Sequence, residues 1–571
     1  MAQTILGQVL AKALALAGVA VTLVINPWGN YDPINLPKLF IMIPFAFVSL
    51  TLSFVILMNR GFQRFDKVAM ISLALFGAFL SINSVFISGN IAQSIWGAWG
   101  RNTGAVAYFC LSAILVCCSL LQPKDATLIF RYFSRLSYFV SAYTFLQYLG
   151  LDPIAWGQQL PFATLGNINF MSSFLGMATA FFIAKVVFDK QTFTARIHYV
   201  FCSLLNFFLI LQSGSIQGIG ILIAAVCVVT ISYYWERRNR FMVATVAFFS
   251  VSTGLVAVMG VAGWGPLGRQ LIQQTVLYRF DYWGAGWEMF KSSPIWGLGM
   301  DSYGDFYREF RGEIATQRTG PARVANTAHN VFLDLMSGGG LLGFSFLVLA
   351  FLVTFVWLIK RIANRTATPE CYQMLPIVLG FFLFCLISIN QLGVGVWGYI
   401  FLGTTLALLR EDRVKEKLEK RLDSRIGPSN SKEFLRSIPV KRAKSVVFCG
   451  LAISIIATVG AVQQIRIDSG FLKAYKATDI GLMTKYINAF APTGFYEDKL
   501  LVLLTSKGLD SEALAVAEKV VDRDRRQFTA WSVIAYSSVA SLSRRVEAKN
   551  ALLKLDPYNR QLADELSAMG L

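Results

Sequence analysis

Long apolar runs alternate with short polar connections along most of the chain. About thirteen of these runs approach or exceed the roughly 20 apolar residues with which an α-helix crosses a bilayer. The pattern therefore predicts an all-α, polytopic helical membrane protein with about 13 spanning helices. The predicted spans are 5–25, 39–58, 68–88, 105–121, 136–151, 168–188, 199–213, 215–235, 241–263, 331–358, 373–389, 396–409 and 445–463.

The polar connections alternate in charge. Every second connection is rich in Lys and Arg, whereas the connections between them carry few basic residues before position 264. Because cytoplasmic loops of membrane proteins accumulate Lys and Arg, we expect the basic set inside the cell, with a cytoplasmic N-terminus and an extracytoplasmic C-terminus. The net charge of +19 then reflects topology, and no nucleic-acid partner is expected. The basic set contains Arg60, Arg64, Lys67, Lys124, Arg131, Arg135, Lys190, Arg196, Arg237, Arg238, Arg240, Lys360, Arg361 and Arg365.

These features divide the chain into four predicted parts. Residues 1–409 form a polytopic membrane domain with a large outer loop at 264–330. Residues 410–444 form a basic cytoplasmic linker, which we expect to touch anionic membrane lipid. Residues 445–463 form the last spanning helix, and 464–571 have the composition of a soluble helical domain outside the cytoplasm.

The C-terminal domain shows a weak internal period. The triplets at 512–514 (Glu-Ala-Leu) and 547–549 (Glu-Ala-Lys) lie 35 residues apart, and an aspartate follows each one. The spacing and the closing Asp556-Pro557 resemble tetratricopeptide repeats, whose unit is 34 residues. About two units fit, which is fewer than a free-standing array needs, so we expect this domain to pack against the membrane domain or a protein partner.

The outer loop is the stretch whose charge does not follow the topology. It carries seven basic residues on the side of the membrane that is otherwise poor in them, together with one of the two histidines of the chain. An anionic substrate explains such a loop, although some of its arginines are expected to pair with its six acidic residues. The basic residues are Arg269, Arg279, Lys291, Arg308, Arg311, Arg318 and Arg323.

Two residues of this loop are the principal candidates for chemistry. His329 suits a general base, since an unperturbed imidazole titrates near neutral pH; the alternative is an inert, hydrogen-bonded histidine at the cap of the following helix. Arg279 suits a phosphate ligand because a guanidinium binds phosphate oxygens in a bidentate fork. Its alternative is an arginine that lies at the membrane interface among aromatic residues.

Three asparagines add polar groups on the same face. Asn167 and Asn169 open the span at 168–188, where amides and a free helix N-terminus suit sugar or phosphate oxygens; a plain helix cap is the alternative for Asn167. Asn330 follows the histidine. Residues 338–340 are three glycines, which indicate close helix packing more than function. The outer connections contain no metal-ligand cluster, no cofactor motif occurs, and the eight cysteines suggest no disulfide framework.

Taken together, these residues resemble the O-antigen ligase and polymerase superfamily. The resemblance lies in 279–283 (Arg-Phe-Asp-Tyr-Trp), 294–299 (Pro-Ile-Trp-Gly-Leu-Gly), 328–333 (Ala-His-Asn-Val-Phe-Leu) and 340–343 (Gly-Leu-Leu-Gly), with 166–170 (Gly-Asn-Ile-Asn-Phe) upstream. It spans about 60–410 and is specific mainly over 277–343. The superfamily includes lipopolysaccharide ligases, repeat-unit polymerases and protein O-oligosaccharyltransferases.

The resemblance implies a function and a division of roles. Such a protein transfers a glycan from an undecaprenyl-pyrophosphate donor to a glycan, lipid or protein acceptor outside the inner membrane of a bacterium. Arg279 is implied to hold the pyrophosphate and His329 to activate the acceptor hydroxyl. The superfamily's second arginine is missing at 213–217 (Ser-Gly-Ser-Ile-Gln), so its replacement by Arg101, Arg318 or Arg323 is one interpretation and a different mode of donor binding is the other. A tetratricopeptide-like domain suits acceptor or partner docking.

The sequence is thus interpreted as a membrane-embedded, metal-independent glycosyltransferase of cell-envelope polysaccharide biosynthesis. Whether it acts as a ligase or a polymerase stays open. A transporter or flippase of lipid-linked glycans is the first alternative, which predicts ionisable residues along a path through the membrane. A non-catalytic assembly scaffold that acts through its C-terminal domain is the second.

Overall fold

The protein is described here by a computed structural model that covers residues 2–157, 161–261, 263–265, 274–423 and 440–569. No β-strand occurs in these ranges. Arg269 and the centre of the predicted basic linker, 424–439, lie outside the described residues. The first ten helices are α1 Ala2–Leu23, α2 Asn35–Arg60, α3 Arg64–Ile82, α4 Ile91–Trp96, α5 Ala105–Ser119, α6 Pro123–Tyr148, α7 Ile168–Phe188, α8 Phe193–Gln212, α9 Ile216–Glu236 and α10 Arg240–Val261.

The second half of the chain is helical as well. Three short or amphipathic helices occupy the outer loop, three long helices complete the membrane domain, and a very long helix leads into the C-terminal domain. These are α11 Gln274–Ser292, α12 Tyr303–Phe310, α13 Glu313–Thr319, α14 Val331–Ala363, α15 Pro369–Ile387, α16 Leu392–Asp423, α17 Val440–Ala477, α18 Ile480–Ile487, α19 Gly494–Ser506, α20 Asp510–Arg523, α21 Phe528–Tyr536, α22 Leu542–Leu555 and α23 Arg560–Ala568.

The predicted fold class is confirmed. Within the described chain, 11 helices are long and apolar enough to cross a membrane, and each coincides with one predicted span. The two other predicted spans coincide with α5, which is apolar but only 15 residues long, and with the more polar α6. The last predicted span belongs to a helix of 38 residues, α17, which continues from the membrane into the C-terminal domain. The chain becomes more polar after residue 463, but the helix continues without a break.

The centre of the bundle is formed by α5, α7 and α16. Their apolar residues are buried on nearly all sides, as expected for helices surrounded by other helices. A Cβ atom on Gly403 would lie 2.2 Å from the carbonyl oxygen of Leu115, so α16 approaches the backbone of α5 through a position that only glycine fills.

The segment 294–300 packs its backbone directly on α14. The N–H groups of Leu298 and Gly299 donate to the carbonyl oxygens of Ser337 and Gly338 at 2.8 and 3.0 Å. Gly340 has a φ of 59°, and a Cβ there would lie 2.3 Å from the carbonyl oxygen of Ile295. Gly338 and Gly340 therefore admit another backbone, whereas Gly339 faces the side chains of Met300 and Phe79. The glycines serve close packing, as predicted, but their partner is a loop segment and not a helix.

A single asparagine of the membrane domain fixes this contact from the other side. Asn83 begins a π-helical turn at the end of α3, Asn83–Ile87. Its side-chain amide donates to the carbonyl oxygens of Trp296 and Gly338 at 2.7 and 3.1 Å, and its side-chain oxygen accepts the N–H of Met300 at 2.9 Å. The outer loop is thus attached to α3 and α14 through backbone groups.

The C-terminal domain binds the outer loop through a buried ion pair. Arg311 and Asp556 are both fully buried, with Nη2 of Arg311 2.7 Å from Oδ2 of Asp556. Arg308 donates to the same carboxylate at 3.0 Å, and Arg311 also donates to the carbonyl oxygens of Pro321 and Arg323. The domain therefore packs against the membrane domain, as expected from its short repeat. Its tetratricopeptide character stays a prediction.

A second buried carboxylate joins three other segments. Asp468 of α17 is fully buried and accepts hydrogen bonds from the backbone N–H of Tyr31 at 2.6 Å, the indole N–H of Trp99 at 3.1 Å and the hydroxyl of Tyr496 at 2.8 Å. The side chain of Asp468 therefore joins three segments: the turn between α1 and α2, the turn before α5, and helix α19. These contacts place the outer loop, these turns and the C-terminal domain at the same end of the helical bundle.

The ion pair gives a first prediction. Asp556→Ala should destabilise the outer loop strongly, since removing one partner of a buried pair costs about 3–5 kcal/mol and leaves the charge of Arg311 unpaired. Heating the purified protein while following tryptic cleavage in the loop measures this. Asp522→Ala, an exposed acid of α20, is the matched control and should behave like the wild type. Equal cleavage temperatures for the two variants would contradict the structural role of Asp556.

The shared side of the outer segments gives a second prediction. In a Cys449→Ser background, cysteines at Ser506 in the C-terminal domain and at Ile314 in the outer loop should react with a membrane-impermeant thiol reagent added to cells with a permeabilised outer envelope. A cysteine at Thr194, in the first turn of α8 next to the basic connection, should react only after the cytoplasmic membrane is lysed. Labelling of Thr194→Cys in intact cells, with the other two protected, would invert the proposed orientation.

Candidate active site

The backbone at His329 adopts a conformation that is uncommon for a residue with a side chain. Its φ is 52°, in the left-handed region. The conformation is fixed on both sides of the residue: the N–H of His329 donates to Oγ1 of Thr327 at 2.7 Å, and the N–H of Ala328 donates to a carboxylate oxygen of Asp334 at 2.7 Å. The same carboxylate accepts the Thr327 hydroxyl at 3.2 Å. Asp334 therefore holds the turn that presents the imidazole.

The cap of α14 is the next residue and not the histidine. The side-chain oxygen of Asn330 accepts the N–H groups of Phe332 and Leu333 at 3.0 and 3.2 Å. The imidazole nitrogens of His329 have no hydrogen-bond partner among the residues that the structure describes. The histidine is therefore not the residue that caps α14, which is the position that its inert alternative assigned to it. Asn330 caps the helix through its side-chain oxygen, and its predicted substrate-binding role stays a prediction.

One face of helix α11 supplies the neighbours of the imidazole. Tyr282 stacks on His329, with 5.7 Å between ring centroids and 26° between ring planes. Arg279 lies three residues earlier on the helix, so it shares this face. The hydroxyl of Tyr303 donates to the carbonyl oxygen of Tyr282 at 2.6 Å, which ties α12 to α11 behind the stacked rings.

Electrostatics keep this imidazole neutral. Burial, with smaller contributions from Arg101 and Arg279, lowers the pKa of His329 to about 3. A neutral imidazole has a nitrogen lone pair available for a proton, but a basicity this low is poor for proton transfer at neutral pH. An anion that neutralises the two arginines would raise the pKa of His329, since removal of like charge favours the imidazolium.

Arg279 is the cation without a partner in this group. Within the described ranges it makes no ion pair and no hydrogen bond, and burial lowers its pKa. Arginine nevertheless stays charged at neutral pH, so the guanidinium is a partly buried positive charge with its donors unused. Such a group gains from binding an anion more than a paired one does.

The three candidates for the missing second arginine have different surroundings. Arg318 pairs with Asp281 at 2.8 Å and is thus engaged within the loop. Arg323 lies over the ring of Tyr278, 4.8 Å from its centroid, one helix position before Arg279. Arg101 donates to the side-chain oxygen of Asn326 at 2.8 Å and is one of the two arginines that lower the pKa of His329. Arg101 and Arg323 are therefore the better placed of the three.

The upstream asparagines lie in a separate polar cluster. Asn167 caps α7 by accepting the N–H of Asn169 at 2.8 Å, and the side-chain oxygen of Asn169 accepts the hydroxyl of Ser215 at 2.8 Å. Ser215 also accepts the hydroxyl of Ser172 at 2.7 Å. No hydrogen bond or ring contact in the described chain joins this cluster to His329. The two asparagines connect α7 to the turn before α9, and their predicted role in substrate binding stays a prediction.

Several residues of the site were not singled out from the sequence. Tyr282 supports the imidazole, Asp334 holds the preceding turn, and Asn83 attaches the loop. The signal for Tyr282 is its position three residues after Arg279 on a helix face. Asp334 and Asn83 gave no such signal, because the groups that they bind are distant in sequence or are backbone atoms.

The geometry defines a class of site: a neutral imidazole near a guanidinium group, that of Arg279, which has no partner among the described residues, at one end of a helical bundle. Comparison with known families supports one assignment. The family model described as O-Antigen ligase matches residues 198–348, a stretch that runs from α8 into α14 and contains both Arg279 and His329. No curated protein matches the chain. The match supports glycan transfer of the O-antigen ligase type in a multi-pass membrane protein.

The electrostatic account predicts a shift that can be measured. In the ligand-free protein, His329 should titrate well below its ordinary pKa, and inorganic pyrophosphate should raise the midpoint because it offsets the arginine charges. Histidine-selective NMR of the purified protein measures this, with His198 assigned by His198→Gln. Arg279→Gln should raise the midpoint without pyrophosphate and reduce the response to it. A wild-type midpoint near pH 6.5 that shifts neither with pyrophosphate nor with Arg279→Gln would contradict the proposed effect of the arginines on His329.

Proposed function

We propose that the protein transfers a glycan from an undecaprenyl-pyrophosphate donor to an acceptor hydroxyl on the outer face of the bacterial cytoplasmic membrane. The acceptor is a glycan, a lipid or a protein. The observation that carries the proposal lies inside the segment that matches the O-antigen ligase model. Among the described residues, the imidazole of His329 has no hydrogen-bond partner and the guanidinium of Arg279 has no ion-pair partner, and Arg279 lowers the pKa of His329.

In this reaction Arg279 binds the pyrophosphate of the donor. A bidentate guanidinium fork matches two phosphate oxygens, and it stabilises the negative charge that grows on the leaving group as the glycosidic C–O bond breaks. Arg101 is proposed as the second cation, in place of the arginine that is absent at Gly214, and Arg323 is the further candidate. Pyrophosphate is already a good leaving group, which supports a mechanism without a metal or another cofactor.

His329 accepts the proton of the attacking hydroxyl. The new bond forms between the acceptor oxygen and the anomeric carbon, and the electron pair of the broken bond leaves with the pyrophosphate. The order of binding follows from the charges: donor binding neutralises the arginines, so His329 becomes a stronger base only when the donor is present. This coupling disfavours proton abstraction in a site that holds no donor.

The alternatives make different demands on the same residues. A flippase needs ionisable groups along a path through the membrane. The buried Lys38 of α2 does not suit such a path, because its ammonium group is bound by backbone carbonyl oxygens at the end of α1, with the oxygen of Thr22 at 2.8 Å. A scaffold that acts through its C-terminal domain does not depend on Arg279 or His329. A transfer assay on these two residues therefore distinguishes all three functions.

Substitutions in the site should separate rate from binding. His329→Ala should lower kcat for glycan transfer by about 10²–10⁴-fold, the usual contribution of a general base, and leave donor binding near the wild-type level. Arg279→Ala should weaken donor binding and also lower the rate. Arg279→Lys should restore little, because an ammonium keeps the charge without the fork. The assay uses purified protein in detergent, lipid-linked glycan and acceptor.

The matched control is Lys291→Ala on the same helix. Lys291 is half-exposed and pairs with Glu288 at 2.8 Å, away from the stacked rings, so its loss should leave transfer unchanged. Size-exclusion profiles show that each variant is folded. Full transfer activity in a folded His329→Ala protein would exclude histidine as the base.

A further inference from the structure

A polar cleft of about 570 Å³ separates the C-terminal domain from the outer face of the membrane domain. The volume lies within the roughly 300–1,000 Å³ that is typical of ligand sites. One wall comes from the turn before α5 and from the outer loop, and the other comes from α19 and the start of α21. Arg101 and Asn326 belong to its lining, and Arg101 also lowers the pKa of His329, so the cleft lies near the site that contains His329.

The cleft combines aromatic rings with uncharged polar groups. Trp99 and Phe495 stack at 3.6 Å between centroids and join its two walls. Phe528 lines the cleft beside them, with the guanidinium of Arg308 4.0 Å from its centroid. The polar lining includes Gln93, Asn326, Gln527 and Thr529. Rings that offer apolar C–H contacts, together with amides and hydroxyls, form a lining that suits saccharides better than lipid tails.

The cations of the cleft are already committed to protein partners. Arg308 pairs with Asp556, Arg526 pairs with Glu309 and lies 3.6 Å from the ring centroid of Phe306, and Arg101 donates to Asn326. Carboxylates neutralise Arg308 and Arg526, whereas Arg101 donates to a neutral amide and is already assigned to the pyrophosphate of the donor. The cleft therefore offers no further unpaired cation for a second anion.

One hydrogen-bond acceptor that lines the cleft has no donor among the described residues. Oδ1 of Asp498 is buried and accepts no hydrogen bond among the described residues. Burial raises the pKa of Asp498, and Thr529 and Arg308 offset part of this rise. A buried carboxylate oxygen without a donor is costly, and a ligand hydroxyl would satisfy it.

We propose that this cleft binds a saccharide segment of a transfer substrate, with a sugar hydroxyl donating to Asp498. The inference rests on the proposed function for the identity of the substrate. Sugar hydroxyls supply the donor that Asp498 lacks, and Arg101, which lines the cleft and acts on His329, places the bound segment near the candidate active site. The segment belongs either to the acceptor or to the glycan of the donor, and the experiment below distinguishes them.

Two variants test the cleft. Val324→Trp fills it from the rim, where Val324 is 40% exposed, and Asp498→Asn removes the acceptor charge with little change in shape. Each should raise KM for one substrate by about tenfold, the usual effect of losing a hydrogen bond to a charged group, and change kcat little. A raised KM for the acceptor assigns the cleft to the acceptor, and a raised KM for the lipid-linked donor assigns it to the donor glycan.

The matched controls are Ile314→Trp, at a 69% exposed position of the same loop, and Asp522→Asn, at an exposed acid of the same domain. Both should keep wild-type KM values. Folded Val324→Trp and Asp498→Asn proteins with both KM values unchanged would overturn the proposal while leaving glycan transfer intact.

A binding measurement separates the two proposals. The probe is the oligosaccharide mixture released by mild acid from the lipid-linked glycans of the source cells, and saturation-transfer NMR follows its binding to the full chain. One outcome would support the saccharide cleft and contradict the proposed function. In that outcome the wild type binds the probe, Val324→Trp and Asp498→Asn weaken the binding, and no glycan transfer occurs in any assay. Binding that is equal in all variants overturns the cleft.

Discussion

A fully buried ion pair between Arg311 and Asp556 holds the outer half of this molecule together. The outer loop is too polar to form a large core of its own; six buried residues make up its internal cluster, among them Met289 and Tyr307. Its position depends on attachment at both ends: Asp556 of the C-terminal domain on one side, and the backbone contacts with α14 on the other. Buried pairs contribute little net stability relative to apolar residues, but they enforce one geometry because a misplaced charge is very costly.

That single geometry matters because the candidate site is assembled from separate elements. The imidazole stands at the start of α14, its stacking partner lies on α11, and Arg101 comes from the turn before α5. A small displacement of the loop would separate the rings and the guanidinium groups, and errors of about 1 Å are expensive in catalysis. The left-handed backbone at His329 persists because Thr327 and Asp334 hold the turn before it.

Burial lowers the pKa of both His329 and Arg279, and the positive charge of Arg279 lowers the pKa of His329 further. Partly buried cations without carboxylate partners are unfavourable in the free protein, and they also suppress protonation of the imidazole. Binding of an anion relieves both penalties at once. Most cations of the basic loop pair with carboxylates of the protein, and Arg279 is the loop cation that the proposed reaction uses. The C-terminal domain adds a cleft beside this arrangement, with its own cations already paired.

The long apolar runs determined the class of fold, since such runs can satisfy the hydrogen bonds of their backbone groups within a membrane only as helices. The sequence also singled out Arg279 and His329, whose residue types are chemically distinctive on a side poor in charge. It gave the helix cap only as an alternative for Asn167, and it did not reveal that Asn330 caps α14, that Asp281 is the partner of Arg318, or that Asp556 anchors the loop. Those outcomes depend on which groups meet across long sequence separations. Asp556 lies 245 residues from Arg311, and only the packing of the C-terminal domain against the outer loop brings the two charges together.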